Sequence, residues 1–99
     1  MRLYLDDERT PPVGWELATT AAEAIKILQE QNITDVSLDH DLGFAENGTG
    51  YDVLLWIEEQ VAFTEYIPPR ISIHTANPSA YVKMKSAVEK ITNMVSARE

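Results

Sequence analysis

The apolar run from Ile33 to Leu38 stops at Asp39-His40-Asp41-Leu42-Gly43, and Leu3-Tyr4-Leu5 runs in the same way into Asp6-Asp7-Glu8-Arg9. Short apolar runs of this length are strand signals, and carboxylates directly after them place ionisable groups at the end of a sheet. Two strand ends loaded with acid in a chain of 99 residues point to one shared acidic site.

The rest of the chain alternates strand and helix signals. Arg2 to Leu5 is a first strand, Pro11-Pro12 marks a loop, and Trp15 to Thr19 is a second candidate strand. Thr20-Ala21-Ala22-Glu23 has the pattern of a capping box and opens a helix on which Ala21, Ala24, Ile25 and Leu28 share a face, ending near Asn32. Asp35 to Leu38 is the third strand. After a loop from Gly43 to Thr49, Thr49 with Asp52 opens a second helix whose broad apolar face includes Tyr51, Leu54, Leu55, Ile57 and Val61. Beyond Pro68-Pro69, Arg70 to His74 is the fourth strand, with Ile71 and Ile73 pointing one way. Asn77-Pro78 supplies a cap and a first-turn proline for the final helix, whose spacing predicts Tyr81, Met84, Val88, Ile91 and Val95 as the buried stripe.

Strands alternating with helices predict a three-layer α/β domain over residues 1–99, built on a mainly parallel four-stranded sheet with right-handed crossovers. Residues 6–14 between the first two strands are too few for the usual helical crossover. Those strands are therefore antiparallel, or parallel and joined by an extended loop, which at nine residues reaches roughly 30 Å.

Composition narrows the classes of function. At 44% hydrophobic and 24% charged the chain is globular rather than disordered. Eight Lys and Arg against sixteen Asp and Glu give a net charge of −8, which disfavours nonspecific nucleic-acid binding and anionic membranes. The absence of cysteine excludes disulfides and thiolate metal sites. With neither a signal-peptide core nor a membrane-length run, the expected location is the cytoplasm.

In an open parallel sheet the ligand site lies beyond the carboxyl ends of the strands. Three ends matter: Asp6-Asp7, Asp39-His40-Asp41 and His74-Thr75-Ala76-Asn77. Converging carboxylates repel unless a cation neutralises them, and Mg²⁺ (or Mn²⁺) prefers their oxygens. Asp6, Asp7, Asp39 and Asp41 are the candidate ligands. On an extended backbone Asp39 and Asp41 leave one side and His40 the other. The third end offers a helix N-terminus, an anion site, with Thr75 and Asn77 as phosphate-binding candidates and Arg9 assisting. His40 and His74 are acid/base candidates beside Asp39. Each residue also has an ordinary alternative. Asp6, Asp7 and Asp41 suit turns, Asn77 a plain cap, His74 a hydrogen-bonded core histidine, and Arg9 an ion pair. Trp15 and Trp56 suit packing, and Met84 and Met94 suit helix core or a homodimer face.

These places resemble the receiver domains of two-component response regulators. Receivers carry an acidic pair after the first strand, an aspartate after the third and a Ser or Thr after the fourth; Asp6-Asp7, Asp39 and Thr75 match. The resemblance implies a truncated flavodoxin-like fold, with Asp6, Asp7 and Asp39 around Mg²⁺. It would lack the first helix, the last strand and the lysine that steadies the phosphoryl group. Leu5 to Arg9, Leu38 to Gly43, Gly50-Tyr51-Asp52 and His74 to Pro78 together are similar to one trimmed branch, the cyclic-phosphate processing receiver domains. That resemblance implies a Mg²⁺-dependent phosphoesterase acting on a cyclic or terminal phosphate, such as a cyclic nucleotide or an RNA end in a repair or conflict setting. The alternative it leaves open is a non-enzymatic signalling or protein-interaction module, with or without phosphorylation at Asp39.

Overall fold

The computed structural model describes residues 1–98. Its strands are β1 (Arg2–Leu5), β2 (Trp15–Ala18), β3 (Asp35–Leu38) and β4 (Arg70–Ile73); its helices are α1 (Ala21–Glu30), α2 (Gly50–Phe63) and α3 (Pro78–Ser96). A short 3₁₀ turn, Ala45–Asn47, precedes α2. The sheet order is β2-β1-β3-β4 and every pairing is parallel. This settles the direction of β2. It is parallel to β1 and is reached by a helix-free loop. A four-residue strand is only about 13 Å long, well within the reach of nine extended residues.

Register puts the strand ends level. Leu5 pairs with both Ala18 and Leu38, and Leu38 pairs with Ile73. The ladder continues one residue further through Asp6 N–H to Ala18 O, Asp39 N–H to Leu5 O and His74 N–H to Leu38 O, each 3.0 Å. Asp6, Asp39 and His74 therefore leave the sheet together at one rim.

The expectation of three layers is corrected to two. From β2 to β3 and from β3 to β4 the chain crosses the sheet in the same direction, and right-handed crossovers running one way place their helices on one face. α3 then packs against α2, and α1 packs on α2's other side. Leu3, Leu5, Val36 and Leu38 are fully buried beneath this helical layer, in one cluster with Val53, Leu54, Ile57, Met84 and Ile91. The opposite face has no helix among the described residues. It carries Arg2 over Trp15, Trp15 edge-on to Tyr4, and Arg70 paired with Asp35.

Helix starts follow their local signals. Thr49 and Asp52 form the complete reciprocal box. At Thr20 only half of it forms: Thr20 Oγ1 accepts the Glu23 N–H, while the Glu23 carboxylate reaches past Thr20 to the Thr19 N–H at 2.9 Å. α1 stops at Glu30, slightly before Asn32. The α3 stripe is shifted by one residue at its start. Ala80, Met84, Ala87 and Ile91 are buried, Val88 and Val95 are partly buried beside them, and Tyr81 lies outside. On α2, Leu55 is likewise exposed and Val53 takes the buried place. No helix among the described residues is long and apolar enough to cross a membrane.

Candidate functional site

At the end of β1, Asp6 is 1% exposed. Its Oδ1 accepts the Glu8 and Arg9 N–H groups at 2.8 and 2.9 Å, which closes the turn out of the strand. Its Oδ2 faces His74 Nε2 at 3.0 Å, and the Arg9 guanidinium stands 3.9 Å away. Burial pushes the Asp6 carboxyl up, but the two amides and His74 outweigh it, so its pKa falls below the ordinary 3.8 and it is a carboxylate at neutral pH. Turn residue and site residue are thus one role: the bonds that fold the loop also hold the charge.

At the end of β3, Asp39 Oδ1 accepts the His40 N–H at 2.8 Å. Asp41 is held by an antiparallel bridge to Thr49, and the Gly50 N–H bonds His40 O at 3.2 Å. His40 Nδ1 pairs with Asp41 Oδ1 at 2.8 Å. Asp7 approaches the same loop, where Gly43 has φ +86°; a Cβ there would lie 3.3 Å from Asp7 Oδ2. Glycine meets both the left-handed backbone and the close contact.

At the end of β4, the His74 ring stacks on Tyr4 with centroids 4.2 Å apart and planes 5° from parallel. Its Nδ1 meets Ser37 Oγ at 2.7 Å, and its carbonyl accepts from Arg9 Nη1 at 3.1 Å. Thr75 Oγ1 accepts the Asn77 N–H at 3.2 Å, and Asn77 Oδ1 accepts the Ala80 N–H at 3.1 Å.

These three ends surround an open cleft walled by Asp7, Glu8, Arg9, Asp39, Asp41 and Thr75, with Gly43 and Ala76 between them. Behind it, one donor atom each from Asp6, Asp39 and His74 lies within 4.8 Å of the others. A profile of the cyclic-phosphate processing receiver domains matches residues 1–90. The chain belongs to that family. Neither the curated proteins nor the solved structures searched contain a match.

Within this receiver domain the candidate residues divide. Asp7, Arg9, Asp39, Asp41 and Thr75 meet at the cleft, while Asp6 and His74 stand behind it. His40 and Asn77 do not line it. His40 is turned to Asp41, and the Asn77 amide oxygen is used by its own helix. The start of α3 also offers less to an anion than expected, because Pro78 has no N–H and Asn77 takes that of Ala80. Three contributors lay outside the sequence reading. Glu8 is on the cleft wall, Tyr4 holds the His74 ring, and Ser37 holds its Nδ1. Ser37 had one signal, a polar residue on the face of β3 opposite Val36 and Leu38.

Proposed function

We propose that this receiver domain binds a divalent cation between Asp6 and Asp39 and hydrolyses a cyclic or terminal phosphate ester in the adjoining cleft. The observation that carries the proposal is the cluster of Asp6, Asp39 and His74 donors opening on a cleft that contains Arg9 and Thr75. The donor set fits a cation: Asp6 is an ionised, buried carboxylate, and Asp39 adds a second on the neighbouring strand. When bound, such an ion neutralises phosphate charge and lowers the pKa of its water.

The chain's own residues would supply the rest. Arg9 is the cation on the cleft wall among the described residues, and its bond to the His74 carbonyl aims its guanidinium. It would hold a phosphate oxygen with a charge-assisted bond. Thr75 Oγ1 already accepts from Asn77, which leaves its proton to donate. Asp41 faces the cleft with His40 bonded behind it, a pair able to share a proton at Nδ1.

Phosphorus NMR of 2′,3′-cyclic mononucleotides and of terminal nucleotide phosphates, each with Mg²⁺ or Mn²⁺, tests this. Metal-dependent hydrolysis is expected, with its loss in Asp39→Asn and a higher KM in Arg9→Gln. Absence of turnover with both metals, together with unchanged metal binding in Asp39→Asn, would refute it. A second reading has its own support, since Asp39 and Thr75 share the cleft as they do in receivers that take up a phosphoryl group. No lysine lines that cleft among the described residues. A phosphoryl adduct on Asp39 after acetyl phosphate treatment, without esterase activity, would favour this second reading.

A further inference from the structure

His74 is held more tightly than a proton shuttle needs to be. Its side chain is 15% exposed, its ring lies flat on Tyr4, and both nitrogens are engaged, Nδ1 by Ser37 and Nε2 by Asp6. A general acid or base must present one nitrogen to the substrate. Neither is presented here, and His74 does not line the cleft.

The same restraints suit a metal ligand. Nε2 is directed at the two carboxylates, within 4.8 Å of an oxygen on each. Its 3.0 Å separation from Asp6 Oδ2 is that of adjacent ligands on one ion, because bonds of roughly 2.1 Å at right angles set two donor atoms about 3 Å apart. A ligating histidine has its second ring N–H fixed by an acceptor. Ser37 Oγ stands at that position, 2.7 Å from Nδ1 on a residue that is 8% exposed. A hydroxyl both donates and accepts, so this contact serves the ring whichever nitrogen carries the proton. Ser37 and Asp39 lie two apart at the end of β3, so one short segment sets both the carboxylate and the imidazole.

We infer that His74 is the third protein ligand, through Nε2, of the ion held by Asp6 and Asp39, and that the site prefers a first-row transition metal to Mg²⁺. This rests on the cation site proposed above. Mg²⁺ is bound by oxygen and gives up water reluctantly, whereas one imidazole with two carboxylates is a donor set for Mn²⁺, Fe²⁺ and the ions after them. Coordination through Nε2 leaves the imidazole proton on Nδ1, donated to Ser37.

Mn²⁺ titrated into the full chain and followed by pulsed electron paramagnetic resonance tests this directly, because a coordinated imidazole imprints a nitrogen modulation on the manganese echo. The modulation is expected in the wild type and not in His74→Gln. Ser37→Ala should retain it while weakening Mn²⁺ binding by about 10- to 100-fold. Mg²⁺ should displace Mn²⁺ only in large excess. Bound Mn²⁺ without nitrogen modulation in the wild type would overturn the inference and leave the cation site standing. No Mn²⁺ binding at all would remove the cation site, and the proposed function with it. His40→Gln should keep the modulation, which assigns it to His74 even if His74→Gln fails to fold; its loss in His40→Gln would overturn the inference.

Discussion

Gly50 has no room for a methyl group. A Cβ there would lie 1.9 Å from the backbone oxygen of Asp39 and 2.9 Å from Met84 Cε, so the start of α2 and the end of β3 touch only through glycine. Gly50→Ala should cost at least the roughly 1–3 kcal/mol of an overpacked core, measured by urea unfolding, and should displace Asp39. A second residue-scale test concerns Asp35. The Arg70 guanidinium, bonded at 2.9 and 3.3 Å, and then the Thr34 hydroxyl hold its carboxyl below the ordinary 3.8. A carboxyl lowered in the folded state adds stability that is present above its unfolded pKa and is lost as pH falls through the folded value. The stability difference between wild type and Arg70→Gln should therefore be steady near neutral pH and shrink below about pH 4. Carboxyl NMR should show Asp35 titrating higher in the variant. At this scale the sequence made Asp6, Asp39, Arg9 and Thr75 legible, because charged or hydroxyl groups directly after a strand have few places to go. Tyr4 and Ser37 were not legible as supports of the candidate site. Their roles exist only because β1 and β4 flank β3, which lets the Tyr4 and His74 rings meet beside Ser37, and no local pattern encodes that register.

Helix starts were the most readable elements, since a cap is a contact between residues three apart. Thr20, Thr49 and Asn77 each cap the helix that their spacing predicts. Helix faces and ends were less readable. Tyr81 and Leu55 have the size of core residues, yet Ala80 and Val53 occupy the core, because which side faces in depends on the neighbouring helix rather than on apolar spacing alone. The end of α2 is closed by a residue far away in sequence. Arg98 donates to the carbonyls of Val61, Thr64 and Tyr66 at 2.9, 2.9 and 2.7 Å. Carbonyls in the last turn of a helix have no partner within it, and a distant guanidinium supplies one here. Removing these partly exposed bonds by Arg98→Ala should cost about 1 kcal/mol, measured by thermal melts followed by circular dichroism, with the loss of amide protection concentrated at residues 61–66.

A parallel sheet is ordinarily covered on both faces, and its strands then read as continuous apolar runs. Three strands here alternate instead: Arg2-Leu3-Tyr4-Leu5, Asp35-Val36-Ser37-Leu38 and Arg70-Ile71-Ser72-Ile73. That period of two is the signature of a sheet with one buried face, and it carried the two-layer architecture even though the alternation of strands and helices suggested three. The same asymmetry explains why the site is coherent in so short a chain. Among the described residues the three helices lie on one face, and the other holds the Tyr4–His74 stack and the Ser37 contact that reach the rim. Two leucines separate the architectures. Leu17 pairs in register with Tyr4 on the uncovered face and is 39% exposed, whereas Leu38 is fully buried under the helices. Leu17→Ser should change unfolding free energy by no more than about 0.5 kcal/mol, while Leu38→Ala should cost about 2–5 kcal/mol. A loss above about 2 kcal/mol at Leu17 would mean that a further layer covers that face in solution.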